Sequence, residues 1–488
     1  MHPTPEQETI VDFACTRQDN LIITALAGAA KTTTLQMICK ALPPKPILSL
    51  AFNKRIAEEM AKRLPGHVKA QTMNSIGHGV WGAATGRRLN VDRDKMRSAL
   101  KERINEAPKS EREDLNDHWI DIMQACREAK IQGYIPPKIS HVNGLITRED
   151  FYASLEEELP AHIEKLVDLI LTDSIALAYS GTIDFDDQIY MPTLFGGSFP
   201  RYPLVMVDEA QDLSPLNHAM LSKLALQRFI AVGDPYQSIY GFRGAVADGM
   251  DHLKTTFSMT ELGLSVSFRC PERIVLQARK RVPHMQWFKS GGHFAELPCW
   301  NLQSFTPNHG GTAIICRNNA PLFKLALELL RAGKGVHLVG TDLGPNLVKL
   351  LRKLGPESLT NAQTLQAIDR WQSEKLAKSR NPGGVIDRAD CLRVFAGFGK
   401  SLGEAIVYAE HAFASSGSIQ LLSGHKAKGG EWETVYHLDP WRIPSKWAHR
   451  GEAVTQELNL EYVITTRSKD KLFEVNAQDM EAFDVERV

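Results

Sequence analysis

A glycine-containing turn near the start of the chain decides the fold. It lies in Leu21-Ile-Ile-Thr-Ala-Leu-Ala-Gly-Ala-Ala-Lys-Thr32, where an apolar run precedes the turn and a helical pattern over 32–42 follows it. A buried strand, a glycine turn and a helix together are typical of a phosphate-binding loop. Backbone N–H groups and the positive end of the helix dipole would face the phosphates. We therefore predict a nucleotide site here.

The chemistry of this loop assigns roles to its last residues. Lys31 would reach the β- and γ-phosphates, and the Thr32 hydroxyl would bind Mg²⁺. Ala30 stands where a glycine usually precedes the lysine, whereas Gly28 is retained. Because alanine tolerates helical backbone angles, we expect the loop to keep its shape with one methyl group added. The predicted nucleotide-binding segment is Ala27, Gly28, Ala29, Ala30, Lys31, Thr32 and Thr33.

A second apolar run, Leu204-Val-Met-Val-Asp-Glu-Ala-Gln-Asp212, ends in acidic residues. Asp208 stands where a buried strand would end, and a hard cation such as Mg²⁺ needs such a carboxylate, directly or through water. Glu209 beside it is placed to activate the attacking water. The alternative is a surface acidic cluster after a strand. The phosphate loop upstream favours a site of nucleoside-triphosphate hydrolysis.

Alternating strand and helix patterns predict an α/β fold with parallel sheets. Charged amphipathic helices interrupt this pattern over 85–199, where we predict helices at 92–106, 113–130 and 151–174. A second polar, helical stretch covers 346–415, with a loop predicted at Asn381-Pro-Gly-Gly384. The predicted layout is two α/β cores, each with a mostly helical insertion.

The composition excludes several classes of protein. The seven cysteines are scattered without a CxxC pair, so we expect a reducing compartment, no disulfide framework and no zinc site. No apolar run reaches the roughly 18 residues that span a membrane, and we expect neither a membrane segment nor a signal peptide. Lys+Arg and Asp+Glu both number 57, so a nucleic-acid site would have to be a local basic groove.

Several ordered motifs resemble those of superfamily 1 DNA helicases of the UvrD/Rep/PcrA type. The most specific is Val232-Gly-Asp-Pro-Tyr-Gln-Ser-Ile-Tyr-Gly-Phe-Arg-Gly-Ala245, which is close to the family's GDxxQSIYxxRGA. The others are Thr4-Pro-Glu-Gln7, Lys31-Thr32, Ser49-Leu-Ala-Phe-Asn-Lys-Arg-Ile-Ala57, Gln71-Thr-Met-Asn-Ser-Ile76, Asp208-Glu-Ala-Gln-Asp212, Ser267-Phe-Arg-Cys-Pro271, Ser423-Gly-His-Lys-Ala-Lys-Gly-Gly-Glu-Trp432 and Glu457-Leu-Asn-Leu-Glu-Tyr-Val-Ile-Thr-Thr-Arg467. Ala51-Phe-Asn-Lys54 and Asn459-Leu460 look most like the F-box DNA helicase branch, although no F-box is evident.

The resemblance implies two RecA-like motor cores. It places the first core in 1–84 and 200–270 and the second in 271–345 and 416–488. It makes 85–199 the first accessory insertion and 346–415 the second, which looks short for the family. Because that second domain regulates unwinding in the family, we expect a compact motor with little built-in autoinhibition.

The resemblance also implies further residues of the ATP site. Gln7 would read adenine, Phe268 would stack on it, and Glu431 would contact the ribose. Gln237 would sense the γ-phosphate. Arg269 and Arg467 would reach in from the second core, where fixed cations stabilise the charge of the transferring phosphoryl group.

DNA contacts follow from the same resemblance, with Phe52, Tyr240 and Phe242 where the family stacks bases. Arg243 and His425 would touch phosphates or couple DNA to ATP. Asn53, Thr72 and Asn74 belong to the DNA-contacting motifs, and Asn74 stands where the family usually has histidine. A role as ordinary core aromatics remains the alternative for Phe52, Tyr240, Phe242 and Phe268.

The leading prediction is an ATP- and Mg²⁺-dependent DNA helicase or translocase with 3′-to-5′ polarity. Its partners would be single-stranded DNA and single-strand/duplex junctions, and we expect a monomer in the bacterial or phage-infected cytoplasm, or in the nucleus if the source is eukaryotic. One alternative is a translocase that strips bound proteins, such as recombinase filaments, with little unwinding. Another is a nucleotide-gated DNA-binding module with low turnover, which Ala30 and Asn74 favour.

Overall fold

The structure is a computed structural model that describes residues 2–51, 53–155, 158–239, 249–301, 311–339, 343–377, 379, 382–448 and 451–481. The chain divides into two compact units. The first comprises Met1–Ala25 and Ala30–Leu264, and the second comprises Leu26–Ala29 and Ser265–Val488.

The first unit is built on a parallel sheet. Its strands are β1 Leu21–Ala25, β2 Ile47–Leu50, β3 Val68–Gln71, β4 Asn90–Val91, β5 Thr182–Ile183, β6 Tyr202–Val207, β7 Ala225–Gly233 and β8 Thr260–Leu264. Six of them form one sheet in the order β3-β2-β6-β7-β1-β8, and β4 and β5 pair separately. Strands β1 and β2 are almost fully buried, and β7 is buried from Arg228 to Gly233, as expected of a parallel sheet covered on both faces.

Twelve helices surround or extend this sheet within the described residues. They are α1 Pro5–Thr16, α2 Lys31–Ala41, α3 Lys54–Arg63, α4 Met73–Thr85, α5 Lys95–Glu106, α6 Arg112–Asp117, α7 Trp119–Gln132, α8 Arg148–Ser154, α9 Ala161–Tyr179, α10 Asp187–Phe195, α11 Pro215–Leu224 and α12 Gly249–Thr256. Helices α5 to α9 enclose a core of their own, which includes Leu100, Ile122, Phe151 and Ile170. Helices α5 to α9 therefore fold around a separate set of apolar side chains, whereas Tyr190 of α10 shares a cluster with Trp81 of α4 and Leu216 of α11.

Two helices predicted in this region are each divided in the structure. The helix predicted at 113–130 ends at Asp117 and resumes at Trp119. The helix predicted at 151–174 breaks between Ser154 and Ala161, where Pro160 is the capping residue before α9. Proline disfavours helical angles in the residue before it, so Pro160 could have marked this boundary from the sequence.

The second unit is also built on a parallel sheet. Its strands are β9 Val266–Ser267, β10 Gln286–Trp287, β11 His293–Glu296, β12 Trp300–Asn301, β13 Thr312–Cys316, β14 Val336–Leu338, β15 Ile419–Ser423, β16 Trp432–Leu438, β17 Ser468–Val475 and β18 Met480–Glu481. The main sheet has six strands in the order β11-β17-β16-β13-β15-β14, and the pairs β9–β10 and β12–β18 are separate. The predicted α/β class with two parallel sheets is confirmed.

Eight described helices belong to this unit: α13 Glu272–Ala278, α14 Asn319–Arg331, α15 Leu343–Lys353, α16 Asn361–Leu376, α17 Pro382–Phe398, α18 Leu402–Ala414, α19 Gly424–Ala427 and α20 Glu452–Thr465. Helix α17 begins at Pro382, so the loop predicted around Asn381–Gly384 is wrong over 382–384. Proline suits a first helical turn because its missing N–H has no partner there in any case.

The described helices within 346–415 share one core with the sheet of the second unit. Leu392 and Phe395 of α17 and Ile406 of α18 belong to one apolar cluster with Ile314 of β13 and Leu421 of β15. This stretch therefore covers the sheet of the second unit as part of the same core. Among the described helices, none has the length and apolar character required to cross a membrane.

Candidate nucleotide site and nucleic-acid contacts

The candidate nucleotide site lies where three neighbouring strands of the first unit end. Strand β7 pairs in parallel with β1 on one side and with β6 on the other. The carboxyl ends of these strands lead into the glycine-containing loop, Asp208 and Asp234. Ligands of open α/β sheets bind at this edge.

Two side-chain pairs join the loop to the acidic motif. The Lys31 Nζ donates to Glu209 Oε2 at 2.6 Å, and the Thr32 hydroxyl donates to Asp208 Oδ2 at 3.0 Å. Burial lowers the pKa of Lys31, but the carboxylates of Glu209, Asp208 and Asp234 outweigh it and leave that pKa raised. Lys31 is therefore held as a cation beside the two acids predicted for metal binding and water activation.

Asp208 is the buried member of the acidic pair. Burial, reinforced by the charge of Glu209, raises its pKa to about 6. Asp208 is 8% exposed, and the Thr32 hydroxyl lies on its carboxylate. Burial makes the negative charge of Asp208 unfavourable, and a divalent cation would compensate it. The Asp208 carboxylate and the Thr32 hydroxyl both offer the oxygen ligands that a hard cation prefers. Thr32 and Asp208 would hold Mg²⁺, which when bound neutralises charge on the phosphates.

A chain of hydrogen bonds extends from Glu209 to Gln237. Gln211 Nε2 donates to Glu209 Oε2 at 2.8 Å, and Gln211 Oε1 accepts from the backbone N–H of Asp234 at 2.9 Å. Asp234 is fully buried and accepts from Gln237 Nε2 at 2.7 Å. The predicted γ-phosphate sensor is thus linked to the predicted base. The sequence motifs gave no separate role to Gln211 or Asp234, although both residues lie inside them.

Ala30 adopts a conformation that the sequence did not predict. Its φ of 57° and ψ of 40° lie in the left-handed region, so the expectation of helical angles is wrong. A side chain with a β-carbon is disfavoured there by roughly 1–2 kcal/mol. Glu209 is also left-handed, with φ 54°. Backbone strain of this kind concentrates at functional sites, and it falls here on two residues of the candidate site.

Gln7 is buried against the helix that follows the loop. Its Nε2 donates to the Thr34 hydroxyl at 3.0 Å, and its Oε1 accepts from the Thr4 backbone N–H at 3.0 Å as part of a capping box. The amide still has one N–H and one lone pair beyond these bonds. The Gln7 amide could therefore still donate one hydrogen bond to adenine and accept one from it. Adenine recognition by Gln7 stays a prediction.

The second unit holds the remaining residues predicted for ATP. Arg269 Nε donates to Glu431 Oε2 at 2.8 Å, so the predicted phosphate and ribose contacts are paired with each other. Arg467 is 1% exposed and donates to the carbonyl oxygens of Val463 and Gly430. Its role as a phosphate-facing arginine stays a prediction that requires these bonds to change.

Two further contacts in this unit were not anticipated. Phe268 packs against Phe288, with ring centroids 5.0 Å apart, and Phe288 is 55% exposed. The Ala27 backbone N–H, in the loop segment Leu26–Ala29 that belongs to this unit, donates to the Tyr462 hydroxyl at 2.9 Å. Tyr462 lies in a quoted motif and Phe288 lies outside all of them, and the sequence gave no signal for either contact.

Comparison with known proteins places the chain in a family. A model described as the UvrD/REP helicase N-terminal domain matches residues 4–258, and one described as the UvrD-like helicase C-terminal domain matches residues 401–478. The first match alone covers more than half of the chain. The chain belongs to the UvrD/Rep helicase family.

Individual relatives of this UvrD/Rep family member are distant. F-box DNA helicase protein 1 of Schizosaccharomyces pombe is 25% identical over 525 residues, which cover 96% of this chain and 57% of that protein. ATP-dependent DNA helicase PcrA of Leuconostoc citreum is 23% identical over 57% of this chain and 40% of its own length. ATP-dependent DNA helicase srs2 of Schizosaccharomyces pombe is 31% identical over 24% of this chain and 14% of its own length. The chain spans only part of each relative.

Some of the residues predicted to contact DNA in this UvrD/Rep family member lie in the described part of the structure. Asn53 and Thr72 accept backbone N–H groups at the starts of α3 and α4, and His425 lies half-buried in α19 after β15. Asn74 donates from Nδ2 to the Phe185 carbonyl oxygen at 3.0 Å. The predicted contacts Phe52, Tyr240, Phe242 and Arg243 lie outside the described residues.

Phe185 is an aromatic to which the sequence assigned no role. Its side chain is 63% exposed, while Asp184 before it and Asp187 two residues after it are buried. Lys130 Nζ donates to Asp184 at 2.5 Å and to Asp187 at 2.7 Å, and Lys95 binds the other oxygen of Asp187. The buried ion cluster and the Asn74 amide therefore fix the backbone that exposes this ring.

Proposed function

We propose that this chain is an ATP-dependent motor that moves along single-stranded DNA from 3′ to 5′ and separates strands. The observation that carries the proposal is the set formed by Lys31, Thr32, Asp208 and Glu209, which follow β1 and β6, the two strands on either side of β7. Family membership supports the DNA substrate, and the polarity rests on the motif resemblance.

In this proposal, nucleotide binding rearranges the Lys31–Glu209 pair. The phosphates carry more negative charge than one carboxylate, so Lys31 would turn to them and release Glu209. Glu209 would then accept a proton from the attacking water, while Thr32 and Asp208 hold Mg²⁺. Gln211 would keep Glu209 oriented through its hydrogen bond from Nε2.

The second core would contribute cations to the same reaction. Family membership supports the idea that Arg269 and Arg467 approach the γ-phosphate when both cores close on ATP. Their guanidinium groups would stabilise charge in the transition state. Hydrolysis would weaken that closure, and repeated closing and opening would advance the motor on DNA.

The DNA would contact Asn53, Thr72, Asn74 and His425, with the exposed Phe185 ring stacking on a base. Each stacked base contributes roughly 1–3 kcal/mol to binding with little sequence preference. These contacts suit single strands, in which the base faces are accessible.

ATP hydrolysis measured with single-stranded DNA, duplex DNA, RNA and no nucleic acid tests the proposal. We expect stimulation by single-stranded DNA, a loss of roughly 10²–10⁴-fold in Glu209→Gln as removal of the general base predicts, and a loss of at least about 10²-fold in Lys31→Ala. Lys254→Ala and Glu261→Gln are matched controls, because these residues form an ion pair in the same unit with both side chains more than 40% exposed. Wild-type protein without turnover on any nucleic acid would leave only the nucleotide-gated binding module.

Strand-displacement substrates with a 3′ or a 5′ tail test direction and unwinding. We expect displacement from the 3′-tailed substrate. Clearing of a recombinase filament without strand displacement would instead favour the protein-stripping translocase.

A further inference from the structure

The segment between β16 and α20 exposes two tryptophans. Trp441 is 63% exposed and Trp447 is 38% exposed, whereas Trp81, Trp300 and Trp432 are at most 7% exposed. A single exposed apolar side chain needs no explanation, but an indole ring forfeits a large burial energy when it stays in water. Two of them on residues 439–448, here called the tryptophan loop, indicate a binding surface.

The tryptophan loop is held at both of its ends by buried carboxylates. Asp439 accepts from the Ala477 backbone N–H and from Arg442 Nε, both at 2.8 Å. Glu457 accepts from the Ser445 backbone N–H at 2.9 Å and pairs with Arg317 through two hydrogen bonds. A loop fixed in this way loses little conformational entropy when a ligand binds to it.

Two cations lie beside the exposed rings. Between Pro440 and Ala448 the charged residues are Arg442 and Lys446, and Asp439 at the buried start of the loop accepts one hydrogen bond from Arg442. Arg442 lies over the Trp441 ring at 4.4 Å, and Lys446 Nζ lies over the Trp447 ring at 5.2 Å. Each ring is thus accompanied by a cation that suits a phosphate.

The position of the loop agrees with a nucleic-acid ligand. Strands β13, β15 and β16 are parallel, so the residues that follow them lie at one edge of the sheet. The tryptophan loop follows β16, and His425, a predicted DNA contact, follows β15. The loop would extend the DNA surface of the second unit along this edge.

We propose that the tryptophan loop binds single-stranded DNA, with bases stacked on Trp441 and Trp447 and phosphates contacted by Arg442 and Lys446. The proposal rests on the function proposed above. Stacking requires open base faces, which single strands offer and duplexes hide. The rings carry little sequence information, so the loop would add grip without base specificity.

Binding of a fluorescently labelled oligothymidylate to the full chain without ATP tests this proposal. We expect the dissociation constant to rise about 5- to 150-fold in Trp441→Ala, as loss of one stacked base predicts. Trp447→Ala should act in the same direction, and Trp441→Phe should retain part of the affinity because a ring remains. Val407→Ala is the matched control, since Val407 in the same unit is also 63% exposed.

A second readout separates the DNA contact from general damage to the fold. The DNA concentration for half-maximal ATPase stimulation should rise in Trp441→Ala, whereas the DNA-free ATPase rate and the thermal unfolding temperature stay at wild-type values. Unchanged oligonucleotide affinity in the Trp441→Ala, Trp447→Ala double variant overturns the proposal, as does loss of duplex binding alone. A wild type without DNA-stimulated hydrolysis refutes the proposed function instead, and the ATP-free binding still reports on the loop.

Discussion

At Ala30 a β-carbon occupies a backbone conformation that glycine would adopt without strain. The residue begins α2 with left-handed angles and accepts the first helical hydrogen bond from the Thr34 N–H. The loop shape is thus preserved, and the cost is conformational strain in the native state. The sequence identified the unusual alanine, but only the fold showed which angles it takes.

We expect Ala30→Gly to stabilise the nucleotide-free protein by up to about 1 kcal/mol. Relief of roughly 1–2 kcal/mol of left-handed strain outweighs the roughly 0.4–1 kcal/mol by which glycine stabilises the unfolded chain. Urea denaturation followed by circular dichroism measures this difference. Ala29→Gly is the control: its φ is not positive, so this change should destabilise. A less stable Ala30→Gly protein would show that the alanine is not strained.

Among the elements, the turn that leads into α10 depends on residues distant in sequence. Asp184 lies in this turn and Asp187 begins α10, and their cations Lys95 and Lys130 come from α5 and α7. Burial lowers the pKa of Lys130, but both carboxylates outweigh it and raise that pKa. Helix α10 also approaches α4 closely, because a β-carbon at Gly77 would lie 1.9 Å from the Gln188 carbonyl oxygen.

Lys130→Met should destabilise the first unit by about 3–5 kcal/mol, since it leaves two buried carboxylates without their shared cation. The affinity for single-stranded DNA should also fall, because the backbone that holds the Phe185 ring in its exposed position is no longer fixed by the ion cluster. Urea denaturation and oligonucleotide binding measure the two effects. Arg97→Met is the control. The side chains of Arg97 and Asp94 form an ion pair and are each 67% exposed, so the pair should contribute less than about 1 kcal/mol to the free energy of unfolding. A Lys130→Met protein as stable as this control would contradict the assignment.

At the scale of the whole molecule, the two helical stretches differ in their cores. Residues 85–199 contain the separate core around Leu100 and Phe151. Residues 346–415 share one core with the sheet of the second unit. The sequence pattern predicted two similar insertions, because an amphipathic helix looks alike whether its apolar face meets another helix or a sheet. A compact motor with little built-in autoinhibition stays our hypothesis for this chain.

Replacement of 361–414 by a short glycine-serine linker should therefore unfold the second unit. Removal of α16, α17 and α18 would expose Ile314, Leu421 and the apolar face of α14. Limited proteolysis and DNA-stimulated ATP hydrolysis measure the outcome, and we expect rapid cleavage with loss of activity. A folded deletion protein with increased unwinding would show that this stretch is a dispensable regulatory domain.

The two parallel α/β cores, the phosphate loop, the acidic strand end and the family could all be predicted from the amino-acid sequence. These features depend on local order: an apolar strand, a turn and a helix are contiguous, and their chemistry can be read from neighbouring residues. Four features became evident only in the folded structure: the left-handed Ala30, the link from Glu209 through Gln211 to Asp234, the exposed Phe185 ring and the shared core of 346–415. Each of these depends on side chains distant in sequence or on backbone angles, and residue type alone does not fix either.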